Sequence, residues 1–344
     1  MPAIQSGKVL VSGANGYVAV WVVKKLLEEG YTVRGTVRSE KSIPYLKQLF
    51  DSYGDKVEFI VVPDITKPGA FDDALKDIDA IAHTASPFHF NFEHPRELID
   101  PAVLGTTGIL ESALKHGQHV KRVIILSSCA AVMEADGYPE PVVLTEKDWN
   151  VRAAANCEKQ GQDASHADAY FASKTLAEHA AWDFAAKHKG EVTFDVVALN
   201  PPYVHGPFLQ DVSAPEKLNV SLLSVYNNAV KGGQTDAELA SSPGSWVDVR
   251  DLAQAHVLAF QKEAAGGERI IVASGPFTWQ QWVHAAHEID SKLPSGTAGY
   301  DYANIKFPIK HDNTKSRQIL GIDYIGITRC TRDILAQFKE LGWY

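Results

Sequence analysis

The chain has 344 residues, 45% hydrophobic and 22% charged, a globular composition long enough for one large core. A formal net charge of −9 speaks against a nucleic-acid partner, and no stretch approaches the roughly 20 apolar residues of a membrane span. Three widely spaced cysteines, Cys129, Cys157 and Cys330, argue against a disulfide framework, and with no signal-peptide pattern the expected location is cytoplasmic.

The first strand is expected at Lys8–Ser12. It runs into the turn Gly13, Ala14, Asn15, Gly16, and then into a helix over 18–29 that opens on Tyr17, Val18 and the small Ala19. Glycines there let backbone amides approach a pyrophosphate, and a helix N-terminus adds N–H donors and a positive dipole end. In that helix Val22, Val23, Leu26 and Leu27 form one apolar stripe. The second strand, Thr32–Val37, carries no carboxylate at its end but Arg38, with Lys41 close by. A guanidinium grips a ribose 2′-phosphate where a carboxylate would repel it, so the expected cofactor is NADPH rather than NADH. Arg38 is the better candidate than Arg34, which falls on the strand itself. A third strand over 57–62 leads to Asp64 and Ile65; the carboxylate could accept from an adenine amino group or cap a turn.

Further strands are expected over 80–84, 122–127 and 192–199, with helices over 96–115 and 168–188 between them. Near-continuous apolar strands alternating with amphipathic helices imply a doubly wound parallel α/β sheet, a Rossmann domain over residues 1–200. Beyond Asn200 the rhythm breaks, and residues 201–344 read as a smaller, mainly substrate-binding lobe whose chain crosses back to the sheet. A short strand over 269–272 and a C-terminal helix over 329–341 belong to this part.

Two features carry chemistry. The strand over 122–127 ends in the hydroxyls Ser127 and Ser128, and the carboxyl ends of parallel strands are where ligands sit. A serine there can hold a carbonyl oxygen against its developing negative charge. Tyr170 and Lys174 stand four apart in a helix, hence one turn apart on one face. An ammonium beside a phenol favours the phenolate, so Lys174 is expected to lower the pKa of Tyr170, the general acid, and to bond the nicotinamide ribose.

Taken together, VSGANG at 11–16, VPD at 62–64, HTASPF at 83–88, LSS at 126–128, Tyr170 with Lys174, NPPYVHGP at 200–207 and WVDVRDLAQAH at 246–256 resemble the extended short-chain dehydrogenase/reductase family. Within it the chain is most similar to the fungal ketoreductases of the yeast methylglyoxal reductase group, relatives of plant dihydroflavonol reductase. The resemblance implies transfer of the pro-S hydride and picks Ser128 as the catalytic serine, with Ser127 as the fallback. It implies that Thr84, Ala85 and Ser86 pass beside the cofactor ribose, and that Pro201, Tyr203 and Val204 fix the carboxamide. It sets Phe88, Phe90, Cys129, Met133 and Tyr203 around the substrate, with residues 208–230 as a lid or wall. One departure is Leu104, where relatives carry an asparagine that would support a water relay to the lysine.

The expected partner is a small-molecule carbonyl compound, and the expected assembly a monomer or homodimer. The histidine pairs His116/His119 and His284/His287 lack a third ligand, so no metal is expected. Asp248, Arg250 and Asp251 read as an interlobe salt-bridge or capping cluster. The alternatives are an NAD-dependent nucleotide-sugar epimerase or dehydratase, which would want arginines over 208–220, and a non-catalytic NADP-sensing regulator, which would not need the Tyr/Lys pair.

Overall fold

The computed structural model describes residues 3–86 and 92–344. Its first half alternates strands and helices: β1 (Lys8–Ser12), α1 (Tyr17–Glu28), β2 (Thr32–Val37), α2 (Ile43–Leu49), β3 (Val57–Val61), β4 (Ala80–His83), α3 (Arg96–His116) and β5 (Arg122–Leu126). There follow β6 (Val142–Leu144), α4 (Arg152–Gln160), α5 (His166–Lys187), β7 (Asp195–Asn200), β8 (Tyr203–His205), α6 (Val220–Val225) and α7 (Asp236–Ala240). The chain closes with β9 (Gly244–Asp248), α8 (Val249–Gln261), β10 (Arg269–Ile271), β11 (Gly275–Phe277), α9 (Trp279–Ile289), β12 (Ile309–His311) and α10 (Ile327–Glu340).

Seven strands form one parallel sheet in the order β10-β7-β5-β4-β1-β2-β3. The strand order reverses between β1 and β4, and their carboxyl ends open a crevice there. Residues such as Val9, Val11, Ile124 and Val197 are fully buried because helices cover both faces. On one face α1 and α8 share a core built from Val20, Val23, Leu26, Leu252 and Phe260. On the other, α3 and α5 pack together over Leu10, Ile81, Ile109, Val123 and Phe184.

Most strands match the sequence pattern to within a residue, but the one expected over 192–199 begins at Asp195. The N–H groups of Glu191 and Val192 bond back to the His188 carbonyl, closing α5 with a turn that delays the strand. Helix α5 starts at His166, two residues earlier than expected, because the Ser165 hydroxyl accepts from the Asp168 N–H as an N-cap. Residues 208–230, expected as a lid or wall, are packed into the molecule. Phe208, Leu218, Leu222, Val225, Tyr226 and Ala229 are buried and join Trp246, Trp282 and Phe338 in a second core.

That second core is tied to the sheet domain by hydrogen bonds. Tyr17 donates to the Gly206 carbonyl at 2.9 Å, Trp21 Nε1 to Pro207 at 2.8 Å and Tyr45 to Leu209 at 2.8 Å. Arg250 bridges Asp248, the N-cap of α8, to Asp333 on α10, so this cluster is structural. Among the described residues no helix is long and apolar enough to cross a membrane.

Candidate active site

The glycine turn sits at the reversal of strand order. Gly13 has φ +67°, and a Cβ there would lie 3.2 Å from the Ala85 backbone, so the turn and the segment after β4 touch through the missing side chain. Gly16 caps α1 with no side-chain hydrogen bond, leaving the first N–H groups of the helix for a ligand. From below, β2 holds the turn: Ala14 N–H donates to the Thr36 carbonyl at 2.8 Å and Gly13 N–H to Thr36 Oγ1 at 3.2 Å. Such a cradle of small residues and bare amides fits a dinucleotide pyrophosphate. The Tyr17 phenol donates to the Gly206 carbonyl, and burial first, then the Asp248 charge, hold its pKa well above the ordinary value. Asn15 Nδ2 donates to Ser42 Oγ at 3.3 Å, and Val18 stays half-buried beside the turn.

At the end of β2 the two cations divide as their positions suggest. Arg34 is tied down by Glu58 at 2.8 Å and by the carbonyls of Ala74 and Lys76. Arg38 and Lys41 are exposed and form no ion pair among the described residues. Asp64 Oδ1 caps the turn, accepting from the Thr66 N–H at 2.9 Å and hydroxyl at 2.6 Å, bonds that hold its pKa below the ordinary carboxylate range, while Oδ2 accepts no hydrogen bond among the described residues. Ile65 packs on α3, where a Cβ on Gly105 would stand 2.7 Å from it.

Beside the turn, Ser12 Oγ accepts from the N–H groups of Thr84 and Ala85, both at 3.0 Å, and lies 2.9 Å from His83 Nδ1. With both acceptances used, its single hydrogen goes to Nδ1. His83 is therefore the Nε2–H tautomer, a neutral donor. Burial first, then the nearby Lys174 charge, push its pKa down to about 3. The Thr84 hydroxyl donates to the Ser12 carbonyl, and Ser86 follows at the rim.

Tyr170, Lys174 and Glu178 stand at i, i+4 and i+8 on α5, facing the carboxyl ends of β4, β5 and β7. Ser128 lies two residues beyond β5, caps the turn Cys129–Ala131 through the Ala130 N–H at 3.1 Å, donates weakly to the Pro201 carbonyl at 3.5 Å, and lies close enough to Tyr170 to act on its pKa. Ser127 points the other way, donating to Glu178 at 2.5 Å. Of the two hydroxyls left open by the sequence, Ser128 is the one brought to the phenol.

Burial raises the Tyr170 pKa above the ordinary phenol value, and the Ser128 hydroxyl opposes this only in part. Lys174 Nζ lies 6.0 Å from the ring centroid, and its own pKa is lowered to about 8 by burial. The net displacement of the phenol is upward and burial is its largest cause.

Leu104 is 48% exposed on the outer side of α3, away from the lysine; the α3 residue that lines the small hollow with Lys174 is Thr106, together with His83, Ser127 and Glu178. Cys129 is buried beside Asn200, its thiol donating to the Asn200 carbonyl at 3.2 Å, and burial holds its pKa high, which suits a wall rather than a nucleophile. Met133 packs with Cys129 and Val132, and Tyr203 lies near enough to Tyr170 to raise its pKa further. Pro201 accepts from the Cys129 N–H at 2.9 Å, and the Val204 carbonyl accepts from Ser221 at 2.6 Å. Phe88 and Phe90 lie outside the described residues. The roles of Ser12, Glu178 and Arg269 escape a local motif scan, although Glu178 falls one turn beyond Lys174 on the same helical face.

Residues 9–273 match the NAD dependent epimerase/dehydratase family. The chain is 37% identical to the putative NADPH-dependent methylglyoxal reductase GRP2 of Candida albicans, over 96% of this chain and 98% of that protein. It is also 37% identical to cinnamoyl-CoA reductase CAD2 of Medicago truncatula, over 96% and 95%. Among solved structures, yeast methylglyoxal/isovaleraldehyde reductase Gre2 complexed with NADPH superposes with a TM-score of 0.85 at 34% identity, covering 98% of this chain and 100% of that one. With the glycine turn at the switch point of its parallel sheet, this chain belongs to the NAD dependent epimerase/dehydratase family.

Proposed function

We propose that the protein is an NADPH-dependent carbonyl reductase that converts aldehydes, ketones or dicarbonyl compounds to alcohols. The observation that carries this reading is the convergence of Ser128 and Tyr170 at the carboxyl edge of the sheet, on the helix that also presents Lys174. The bound dinucleotide supplies the hydride. Arg38 and Lys41 hold its 2′-phosphate, while the Gly13–Gly16 turn and the N-terminus of α1 receive the pyrophosphate.

Ser128 donates to the substrate oxygen and steadies the charge that grows there. Tyr170 gives that oxygen its proton. A phenol whose pKa is raised by burial keeps its proton at neutral pH, which suits reduction and makes the reverse oxidation an alkaline reaction. Lys174, near pKa 8, is placed one turn away to bond the ribose and to bias the phenol once charged. Met133, Cys129 and Tyr203 give the pocket a soft apolar wall, and residues 208–220 contain no arginine to grip a sugar nucleotide diphosphate.

The test follows reduced-nicotinamide absorbance with a panel of ketones and aldehydes. Turnover is expected with NADPH well above that with NADH. Tyr170→Phe is expected to cut kcat by about 10²-fold or more while its NADPH Kd stays within about twofold. Full turnover in Tyr170→Phe would remove the phenol from the mechanism.

A further inference from the structure

Behind the reacting hydroxyls lies a buried polar cluster that the proposed chemistry does not use. At its centre, Arg269 of β10 pairs with Glu178 of α5, Nε to Oε1 at 2.5 Å; the arginine is 9% exposed and the carboxylate side chain not at all. These residues are 91 positions apart in sequence. Every N–H of the guanidinium has a partner. Nη1 donates to the carbonyls of Glu146 and Asp148, each at 2.8 Å, and Nη2 to Ala131 at 3.4 Å and to Glu178 Oε2 at 3.5 Å. Its plane lies 3.4 Å over the Trp149 ring, which in turn stacks on His179 at 3.9 Å.

Glu178 gathers the other side. Beyond the arginine, it accepts from Ser127 Oγ at 2.5 Å, Asn200 Nδ2 at 2.8 Å and Trp182 Nε1 at 3.2 Å. Asn200 Nδ2 also reaches the Ser128 carbonyl at 3.2 Å. The loop that Arg269 grips through Glu146 and Asp148 continues to Asn150. Its amide donates to the Met133 carbonyl at 2.6 Å and its backbone N–H to Ala131 at 3.0 Å. One ion pair thus reaches both ends of the segment from Ser127 to Met133, and the same carboxylate rides on the helix that carries Tyr170 and Lys174.

We infer that Arg269 and Glu178 are the positioning pair of the reaction centre: they hold the Ser128 turn and the substrate wall of residues 129–133 in register with Tyr170. This rests on the reductase reading given above. The planar fork is what the arrangement demands, because five donors aimed at a carboxylate and three carbonyls cannot be reproduced by the three donors of a lysine. A 1 Å misplacement of a reacting group costs about 10²-fold in rate, so loosening this support is felt in turnover before it is felt in cofactor binding.

The test is Arg269→Lys, which keeps the charge and so leaves Glu178 paired. Amide hydrogen exchange is read by mass spectrometry on peptides covering 127–135 and 145–150, with β1–α1 peptides as the internal reference. Exchange in the first two is expected to quicken about tenfold or more with the reference unchanged. NADPH Kd should stay within about twofold of the parent, and kcat per NADPH-binding site should fall by about 10²-fold. Unchanged exchange would overturn the inference, as would faster exchange with full kcat. If Arg269→Lys does not fold, the paired variant Glu178→Gln/Arg269→Met, which strands no lone buried charge, carries the same measurements. A parent protein without turnover on any carbonyl would instead overturn the reductase reading, and the exchange data would still decide whether the pair holds the segment.

Discussion

At the scale of single residues, the cofactor preference turns on which arginine is free. Arg34 is fixed by Glu58 and two backbone carbonyls, whereas Arg38 stands exposed one residue beyond β2 without an ion pair among the described residues. Removing a charge-assisted hydrogen-bonding partner costs about 1.5–3 kcal/mol, or roughly 10- to 100-fold in affinity. Arg38→Ala is therefore expected to raise KM for NADPH by roughly that factor and to leave KM for NADH almost unchanged, as initial rates with each cofactor would reveal. Arg34→Ala should change stability and not preference. Equal losses with both cofactors in Arg38→Ala would move the phosphate site elsewhere. The order of the two arginines was readable from the strand period, since Arg34 falls within β2 and Arg38 beyond its edge. The turn that Asp64 caps was not, because a strand-end carboxylate suits a turn or a ligand equally well, and its Oδ1 bonds to Thr66 leave Oδ2 open to the second.

Among elements, β2 is the floor of the cofactor turn. Gly35 faces Val11 across the β1–β2 pairing, and a Cβ on it would lie 2.7 Å from Ala14 Cβ and 2.7 Å from the Phe59 ring. Gly35→Ala must displace the turn or the ring. Overpacking of this kind costs about 1–3 kcal/mol, so a lowered Tm is expected together with a weaker NADPH Kd in a fluorescence titration. An unchanged Kd would mean that Phe59 alone gives way. The strand–turn–helix pattern around Gly13 was legible because its evidence is local: an apolar run, two glycines and an amphipathic stripe within 21 residues of chain. The packing of residues 208–230 was not legible, because their partners Trp246, Trp282 and Phe338 come from far downstream and leave no local period to betray the second core. The pairing of Glu178 with Arg269 is hidden for the same reason, as is the choice of Ser128 over Ser127, which depends on where that carboxylate pulls the first hydroxyl.

Across the whole molecule, burial has silenced four histidines. His83 and His205 are pushed down to about 3, and His256 and His311 to about 4, in each case chiefly by desolvation. They are spread over both cores: His83 at the cofactor turn, His205 among Trp246, Phe277 and Trp282, His256 in α8 and His311 on β12. In the unfolded chain each titrates near 6.5, so between about pH 6.5 and 4 the unfolded state holds four protons that the folded state refuses. Asp251 works in the opposite sense. Burial raises it to about 7, so the folded state holds one proton there that the unfolded state releases. The balance, four less one, is about three protons taken up on unfolding, which lowers stability by about 4 kcal/mol for each pH unit of acidification across that window. Over the roughly 2.5 units of that window the loss sums to about 10 kcal/mol, so a fold with a total stability of about 5–10 kcal/mol should be lost within roughly one to three units below pH 6.5. Urea unfolding followed by tryptophan fluorescence at pH 7, 6 and 5 measures this directly. A midpoint that stays level from pH 7 to 5 would mean that the buried imidazoles find protons, or partners, inside the folded protein.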